Sequence, residues 1–210
     1  MRIWFVLVPL LLMPAYVLAA DAVPLTDWRA YGGGALPPTW TVADGTITHT
    51  AGGGDIQTAA QYRDFELDFE WQISPGGNSG VFYRVPEGRG GADLNGPEYQ
   101  ILDNGGHPDG KNPITSAASA YAVYPPSADL TKPVGQWNSS RIVVEGNHVE
   151  HWVNGSRVLS YELGSADWQA RVANSKFHGL PYGQAARGYI VLQDHGAAVS
   201  YRNVMITLLH

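Results

Sequence analysis

The chain has 210 residues, a formal net charge of −6 and no cysteine. An acidic balance argues against nucleic acid as a partner, because phosphates need a basic surface, and without cysteine no disulfide contributes to stability. Only 15% of the residues are charged, while 25 are Gly and 14 are Pro, a profile of many short strands joined by tight turns.

The first segment reads as a leader rather than as part of a fold. Met1-Arg2 carries one positive charge, residues 3–12 are an almost unbroken apolar run, and Val17-Leu18-Ala19-Ala20 offers the small residues a signal peptidase cuts after. The run is short for a spanning helix and is interrupted by Pro9 and Pro14. A signal peptide over residues 1–19 is therefore expected, with cleavage after Ala19 or Ala20, no membrane anchor, and export to the periplasm or the medium. Its removal takes Arg2 and leaves a charge of −7. Residues 20–210 fit a single domain.

In chain order, Asp44-Gly45 is a turn between strands expected at residues 40–42 and 46–50. Residues 65–73 alternate strictly, apolar at odd positions and polar at even ones, as in a strand with one buried face. Pro75-Gly76-Gly77-Asn78 breaks that run, and further strands are expected at residues 80–84 and 98–102. Residues 141–145, 148–153 and 157–162 form a meander turning at Gly146-Asn147 and Asn154-Gly155. The last two strands are expected at residues 188–194 and 199–206. No stretch keeps a helical period over three turns. Two polar loops, 86–97 and 103–132, are too long for plain connections and point to function. The reading is an all-β, antiparallel sandwich or jelly roll. Seven Trp and eleven Tyr suit stacking on sugar rings, although most are assigned to the core.

Four segments concentrate polar side chains. Glu66, Asp68 and Glu70 share one strand face at steps of roughly 6.5–7 Å. That spacing suits a glycosidase carboxylate pair, yet any acidic solvent face reads the same way; Glu70, nearest the loop end, is the stronger candidate. Glu98 and Gln100 share a second face and are followed by Asp103, Asn104, His107, Asp109 and Lys111. Such a group is suited to polarising a carbonyl, moving a proton or ligating a metal; the plainer alternative is a turn in which Asp103 and Asp109 bond loop amides. Gln193-Asp194-His195-Gly196 places an imidazole beside a carboxylate that would orient it as a base. In Asn78-Ser79-Gly80-Val81-Phe82-Tyr83-Arg84, Gly80 permits close approach, and Arg84 is placed to bind a ligand oxygen or to pair with Glu98 or Glu70. Nucleophile elbows, phosphate loops and nucleotide fingerprints are absent from the sequence.

Taken together these strings resemble the 3-keto-disaccharide hydrolase domain family. The residues that carry the resemblance are Asp64-Phe65-Glu66-Leu67 through Trp71, Pro75-Gly76-Gly77-Asn78-Ser79-Gly80-Val81-Phe82, Gly96-Pro97-Glu98-Tyr99-Gln100-Ile101-Leu102-Asp103 and His107-Pro108-Asp109. Lys132-Pro133-Val134-Gly135-Gln136-Trp137-Asn138, His151-Trp152-Val153-Asn154-Gly155, Leu192-Gln193-Asp194-His195-Gly196 and Tyr201-Arg202-Asn203-Val204 complete it. The opening Leu25-Thr26-Asp27-Trp28 is compressed relative to the family's usual start.

The resemblance implies a concanavalin A-like jelly roll that cleaves 3-keto-glycosides or 3-keto-disaccharides. A ketone at carbon 3 acidifies the hydrogen on carbon 2, so a base can form an enolate, the glycosidic oxygen on carbon 1 leaves, and water adds back. On chemistry and position, His195 is expected as the base and Arg84 or Lys111 as the cation for the enolate. Glu98 or Glu70 would serve the leaving oxygen, and Asn78, Gln100, Asp103, His107 and Gln193 would hold hydroxyls. No specific cofactor is identified; a divalent ion held by Asp103, His107 and Asp109 is the alternative to a cationic side chain. The competing readings are a non-catalytic carbohydrate-binding module and a two-carboxylate glycosidase using Asp68 and Glu70.

Overall fold

The computed structural model describes residues 22–88 and 90–209, so the expected signal segment lies outside the described residues. The chain folds into two antiparallel sheets. The larger contains β1 (Val23–Pro24), β3 (Trp40–Ala43), β4 (Thr46–His49), β6 (Phe65–Ile73), β9 (Asn138–Glu145), β10 (His148–Val153), β11 (Ser156–Glu162) and β13 (Val199–Leu208). Its order is β11-β10-β9-β6-β13-β4-β3, with β1 also paired to β13. The smaller contains β2 (Trp28–Ala30), β5 (Ile56–Thr58), β7 (Asn78–Val85), β8 (Glu98–Leu102) and β12 (Tyr189–Leu192), in the order β2-β5-β12-β7-β8. This is the jelly-roll sandwich that the strand pattern and the resemblance imply. Among the described residues no helix is long and apolar enough to cross a membrane.

The core follows from strand alternation. Phe65, Leu67, Phe69, Trp71 and Ile73 of β6 point inward and meet Val81, Tyr83, Tyr99, Ile101, Ile190 and Leu192 of the smaller sheet. Each large side chain so buried contributes about 1.5–3 kcal/mol. Trp28, Trp40, Trp71 and Trp168 are all core residues, as most aromatics were expected to be. The turns obey their residues: Asp44-Gly45 and Asn154-Gly155 have positive φ at both positions, the mirror-image geometry that matches strand twist.

The even residues of β6 face solvent on the outer side of the larger sheet. There Arg141 Nε donates to Asp68 Oδ1 (2.8 Å), Arg202 Nε donates to Glu70 Oε2 (2.7 Å), and Asn203 donates to Glu70 Oε1 (3.0 Å). Burial would raise the Glu70 carboxyl, but these bonds outweigh it and hold the group below the usual carboxylate range. Asp68 and Glu70 thus form a charge-compensated face, and beside them Glu66 meets Arg141 (3.2 Å) while burial lifts its carboxyl.

A polar network runs through the core. Buried His151 donates from Nδ1 to the Ala118 carbonyl (3.0 Å), and its Nε2 accepts from the Tyr83 hydroxyl (2.9 Å), which also meets the Tyr161 hydroxyl. Trp71 Nε1 donates to Ser140 Oγ (2.9 Å), which shares a bond with the Tyr99 hydroxyl (2.8 Å). Ala118 belongs to the long 103–132 loop, so His151 ties that loop to the sandwich.

Several short elements escape sequence reading. Strands β2 and β5 have three residues each, too few to display a period. Helix α1 (Ala166–Ala173) spans only two turns; Ser165 caps it by accepting the Trp168 amide (3.1 Å), and Trp168 packs inward. The loops 86–97 and 103–132 contain 3-10 turns at Ala92–Leu94, Pro108–Lys111 and Pro113–Thr115.

Burial lowers the His151 imidazole to about 4, the bond to the Ala118 carbonyl only partly opposing this. The unfolded chain takes up a proton there below its ordinary 6.5, whereas the folded chain resists until about 4. Stability at this residue should therefore fall as pH drops from 6.5 to 4. Urea unfolding across that window checks it, and His151→Gln should flatten the trend while lowering stability by about 2 kcal/mol for the disturbed bonds.

Candidate functional site

On the smaller sheet, Val81, Tyr83, Tyr99 and Ile101 face the core, so Asn78, Gly80, Phe82, Glu98 and Gln100 face outward. Ile56 is likewise a core residue, which turns Asp55 and Gln57 to that same outer side. The register places Glu98, Phe82, Val191 and Gln57 in one row across the sheet, and Gln100 opposite Gly80 in the next. The Gln193 amide donates to the Gly80 carbonyl (2.9 Å), extending this second row. An apolar part of the face, Phe82, Val85, Tyr189 and Val191, is covered by Ala92 from the 86–97 loop. The polar part is bordered by the 103–132 loop, whose Ala118 and Tyr121 amides donate to the Gln100 and Glu98 carbonyls (2.9 and 3.2 Å).

Glu98 is the central group. Its carboxyl leans over Gly80 so closely that a Cβ there would come within 2.2 Å of Oε1; only glycine leaves the room. With its amide nitrogen turned that way, Gln100 donates to the Ser79 carbonyl (2.8 Å) and to Glu98 Oε1 (3.1 Å), leaving Oε2 to carry a proton. Glu98 is 4% exposed, and burial lifts its carboxyl to about 8. The Lys176 ammonium opposes the rise, while Asp93, Asp55 and Asp109 add to it. At neutral pH Glu98 is thus a neutral acid.

The surrounding groups are mixed in charge. Lys176 Nζ sits 4.4 Å from the centre of the Tyr121 ring, a cation–π contact at the rim. The Tyr121 hydroxyl donates to Asp109 Oδ2 (3.1 Å). Asn78 Oδ1 and Gln193 Oε1 are buried without a hydrogen-bond partner, acceptors suited to hydroxyl donors from a ligand. His107 and His195 lie at the same end, their rings 6.4 Å apart, with His107 half-buried and His195 exposed.

The structure therefore brings together Glu98, Gln100, Asn78, Gln193, His107 and His195 at one surface. It separates the others. Arg84 does not reach Glu98 or Glu70: its side chain is buried elsewhere, donating to the Arg63 carbonyl (2.8 Å) and to Asp64 Oδ1 (3.0 Å). The cause is a bulge, visible where Tyr189 pairs with Val85 but Val191 with Phe82, which puts Arg84 at φ 51° and breaks the parity. Glu70 and Asp68 lie on the opposite surface, across the whole sandwich. Lys111 is exposed in the last turn of its 3-10 helix; Lys176 is the ammonium that acts on Glu98. Asp103 is a loop anchor whose oxygens accept the amides of Gly76, Gly105 and Gly106 (2.7, 3.1 and 3.0 Å). Asp194 does not orient His195, because it accepts the amides of Gly52, Gly54 and Gly196 and lies 3.4 Å from His49 Nε2. Nor do the residues present suit a divalent ion: Asp103 is occupied, and among the described residues no three His, Asp or Glu side chains gather closely enough to ligate one.

Sequence reading missed Lys176, Tyr121, Asp93 and Asp55. The first two reach the site on irregular loops, and Asp55 precedes a strand too short to show its parity. A separate cavity of about 560 Å³ lies beside α1, lined by Trp168, Leu163, Leu180 and the already paired Arg84.

The 3-keto-alpha-glucoside-1,2-lyase-like domain family matches residues 16–207. A 3-keto-disaccharide hydrolase of Bacteroides thetaiotaomicron is 34% identical, with 92% of this chain and 78% of that protein covered. The crystal structure of a candidate glycosyl hydrolase from Parabacteroides distasonis superposes with a TM-score of 0.81 at 34% identity, covering 88% of this chain and 89% of that one. A second candidate glycosyl hydrolase from the same organism gives 0.67 at 26% identity, over 87% and 100%.

Gly80→Ala should swing the Glu98 carboxyl out of its place. Its titration, followed by carbon NMR of labelled glutamate, is expected to move down from about 8 toward the ordinary carboxylate range.

Proposed function

Since the chain belongs to the 3-keto-alpha-glucoside-1,2-lyase-like family and is a glycoside-cleaving enzyme, we propose that it acts on glycosides carrying a ketone at sugar carbon 3, at the outer face of the smaller sheet. The observation that carries the reading is Glu98: a carboxyl that keeps its proton at neutral pH, with an ammonium within electrostatic reach. Ordinary glycosidases need two carboxyl groups flanking the glycosidic bond. An elimination needs something else: a base for the carbon 2 hydrogen, positive charge or a donor for the enolate oxygen, and an acid for the departing oxygen.

In this reading the base takes the carbon 2 proton and the C2–H electron pair forms the enolate, whose oxygen faces the Lys176 ammonium. The enolate collapses, the C1–C2 double bond forms, and the C1–O bond breaks. Glu98 passes its proton to the departing oxygen and becomes a carboxylate. It then deprotonates a water that adds to carbon 1, while the proton on the base returns to carbon 2. The sum is a free 3-keto sugar and an alcohol. Asn78 and Gln193 offer their unpartnered oxygens to sugar hydroxyls, and His107 and His195 stand at the rim. Residues 1–19, with their charged start and apolar run, support export, so that the substrate would be met in the periplasm or outside the cell.

Purified protein offered matched native and 3-keto glycosides should release aglycone from the keto compound alone. Release from the native glycoside alone would favour the glycosidase reading, and binding without release would favour a carbohydrate-binding module. Glu98→Gln is expected to lower kcat by at least about 100-fold with little change in KM, while Asp68→Asn and Glu70→Gln, on the far surface, should leave turnover within about twofold. Because Glu98 must be protonated to donate, wild-type kcat/KM should decline as pH rises through about 8.

A further inference from the structure

Resting on that 3-keto-glycoside reading, we propose that Asp55 is the base that removes the carbon 2 hydrogen, working from the opposite side of Gly80 to Glu98.

The register sets the distance. Ile56 pairs with Leu192, and Leu192 pairs with Val81. Asp55 therefore lies level with Gln193 and Gly80, two strands away from Gly80, or about 10 Å between backbones. Gly80 has no side chain, and the Glu98 carboxyl leans over it from the far side. In the row between Asp55 and Gly80 stands Gln193, whose Oε1 is buried without a partner. A sugar ring laid there would have one carboxyl at each edge. Carbon 1 and carbon 2 are adjacent ring atoms, so an acid for the C1 oxygen and a base for the C2 hydrogen must approach the ring from different directions.

Asp55 is also held as a base should be. Its Oδ1 accepts the Asp194 amide (2.9 Å), which fixes the carboxyl and leaves Oδ2 for the proton. Asp194 is itself pinned to three backbone amides, so this support does not drift. The groups that face Asp55 are Asp194, Asp93 from the 3-10 turn of the 86–97 loop, His49 from β4, Tyr31 and, farther off, Glu98. Burial lifts the Asp55 carboxyl to about 6, Asp194 and Asp93 adding to the rise and the Asp194 amide and His49 opposing it. At neutral pH Asp55 is a carboxylate while Glu98 is an acid, the division of states the reaction needs. His195, by contrast, is exposed and lacks the Asp194 support expected for it.

The proton balance closes. Asp55 carboxylate takes the carbon 2 proton and becomes the acid, the C2–H pair passes into the enolate, and the same proton returns to carbon 2 when water adds to carbon 1.

The test compares wild type, Asp55→Asn and His195→Ala on one 3-keto-glucoside across pH 4.5–9. Asp55→Asn keeps an oxygen to accept the Asp194 amide, so its melting temperature should stay within a few degrees. Its kcat should drop at least about 100-fold with KM little changed. The wild-type acid limb near pH 6 should vanish from its residual rate and persist in His195→Ala. An Asp55→Asn enzyme within tenfold of wild type, or an acid limb erased by His195→Ala instead, overturns the assignment. Should the Asn variant not fold, Asp55→Glu serves: a displaced acid limb supports the proposal and an unmoved one overturns it. A wild type inert on every 3-keto glycoside overturns the substrate reading beneath it, an outcome distinguishable because the variants are scored only against an active parent.

Discussion

A carboxyl kept out of water on the outer face of a sheet is the constraint on which the rest of this site depends. Glu98 is nearly free of solvent yet lies on the side of β8 that points away from the core. Two conditions make that possible. Gly80, diagonally across on β7 and under the carboxyl, contributes no side chain, and the 103–132 loop hydrogen-bonds along the edge of β8. That loop depends in turn on His151, whose ring accepts from Tyr83 in the core and donates to Ala118, while the Ala118 amide bonds Gln100. A neutral imidazole inside the sandwich thus positions the backbone that shelters the acid.

The two sheets show how little an alternating pattern says about chemistry. Strand β6 and strand β8 both carry acidic residues on their outer faces. On β6, Asp68 and Glu70 meet Arg141, Arg202 and Asn203 in partial solvent, and the charges are satisfied. On β8, loops border the face, desolvation dominates, and the Lys176 ammonium opposes it only in part. Glu70 is held low and Glu98 is lifted although both stand in the same local sequence grammar, because the shift is set by what is packed over the strand.

For a glycoside activated by a ketone, this division is useful. The difficult bond to break is no longer the glycosidic one but C2–H, and the site must hold an acid and a base at once near neutrality. Burial of different depth separates Glu98, at about 8, from Asp55, at about 6, so that one is protonated and the other ionised. Lys176, reaching in from an irregular loop, supplies the positive charge that an enolate oxygen would need.

Much of the architecture is legible in the sequence. The strict alternation of residues 65–73, the turn pairs Asp44-Gly45 and Asn154-Gly155, and the apolar runs of the meander are local signals, and local signals decide strand, turn and inward face. They also set Glu98 and Gln100 on one strand face; that Asn78 and Gln193 share that surface follows from the pairing of β7 with β8 and β12, which no local pattern shows. Arg84 leaves the expected face because a bulge changes parity without a mark in the sequence. Lys176 acts on Glu98 from an irregular loop that nearness along the chain does not reveal, whereas Lys111, nearer in sequence, is exposed elsewhere. Asp55 was invisible: three residues of β5 display no period, and its altered acidity comes from burial and from Asp194, a residue 139 positions away. What the sequence by itself determined was the sandwich and its inward face, since those follow from the order of apolar and polar side chains. Which acids keep their protons was decided only by the tertiary structure, because desolvation and charge act through space between segments that the chain holds far apart.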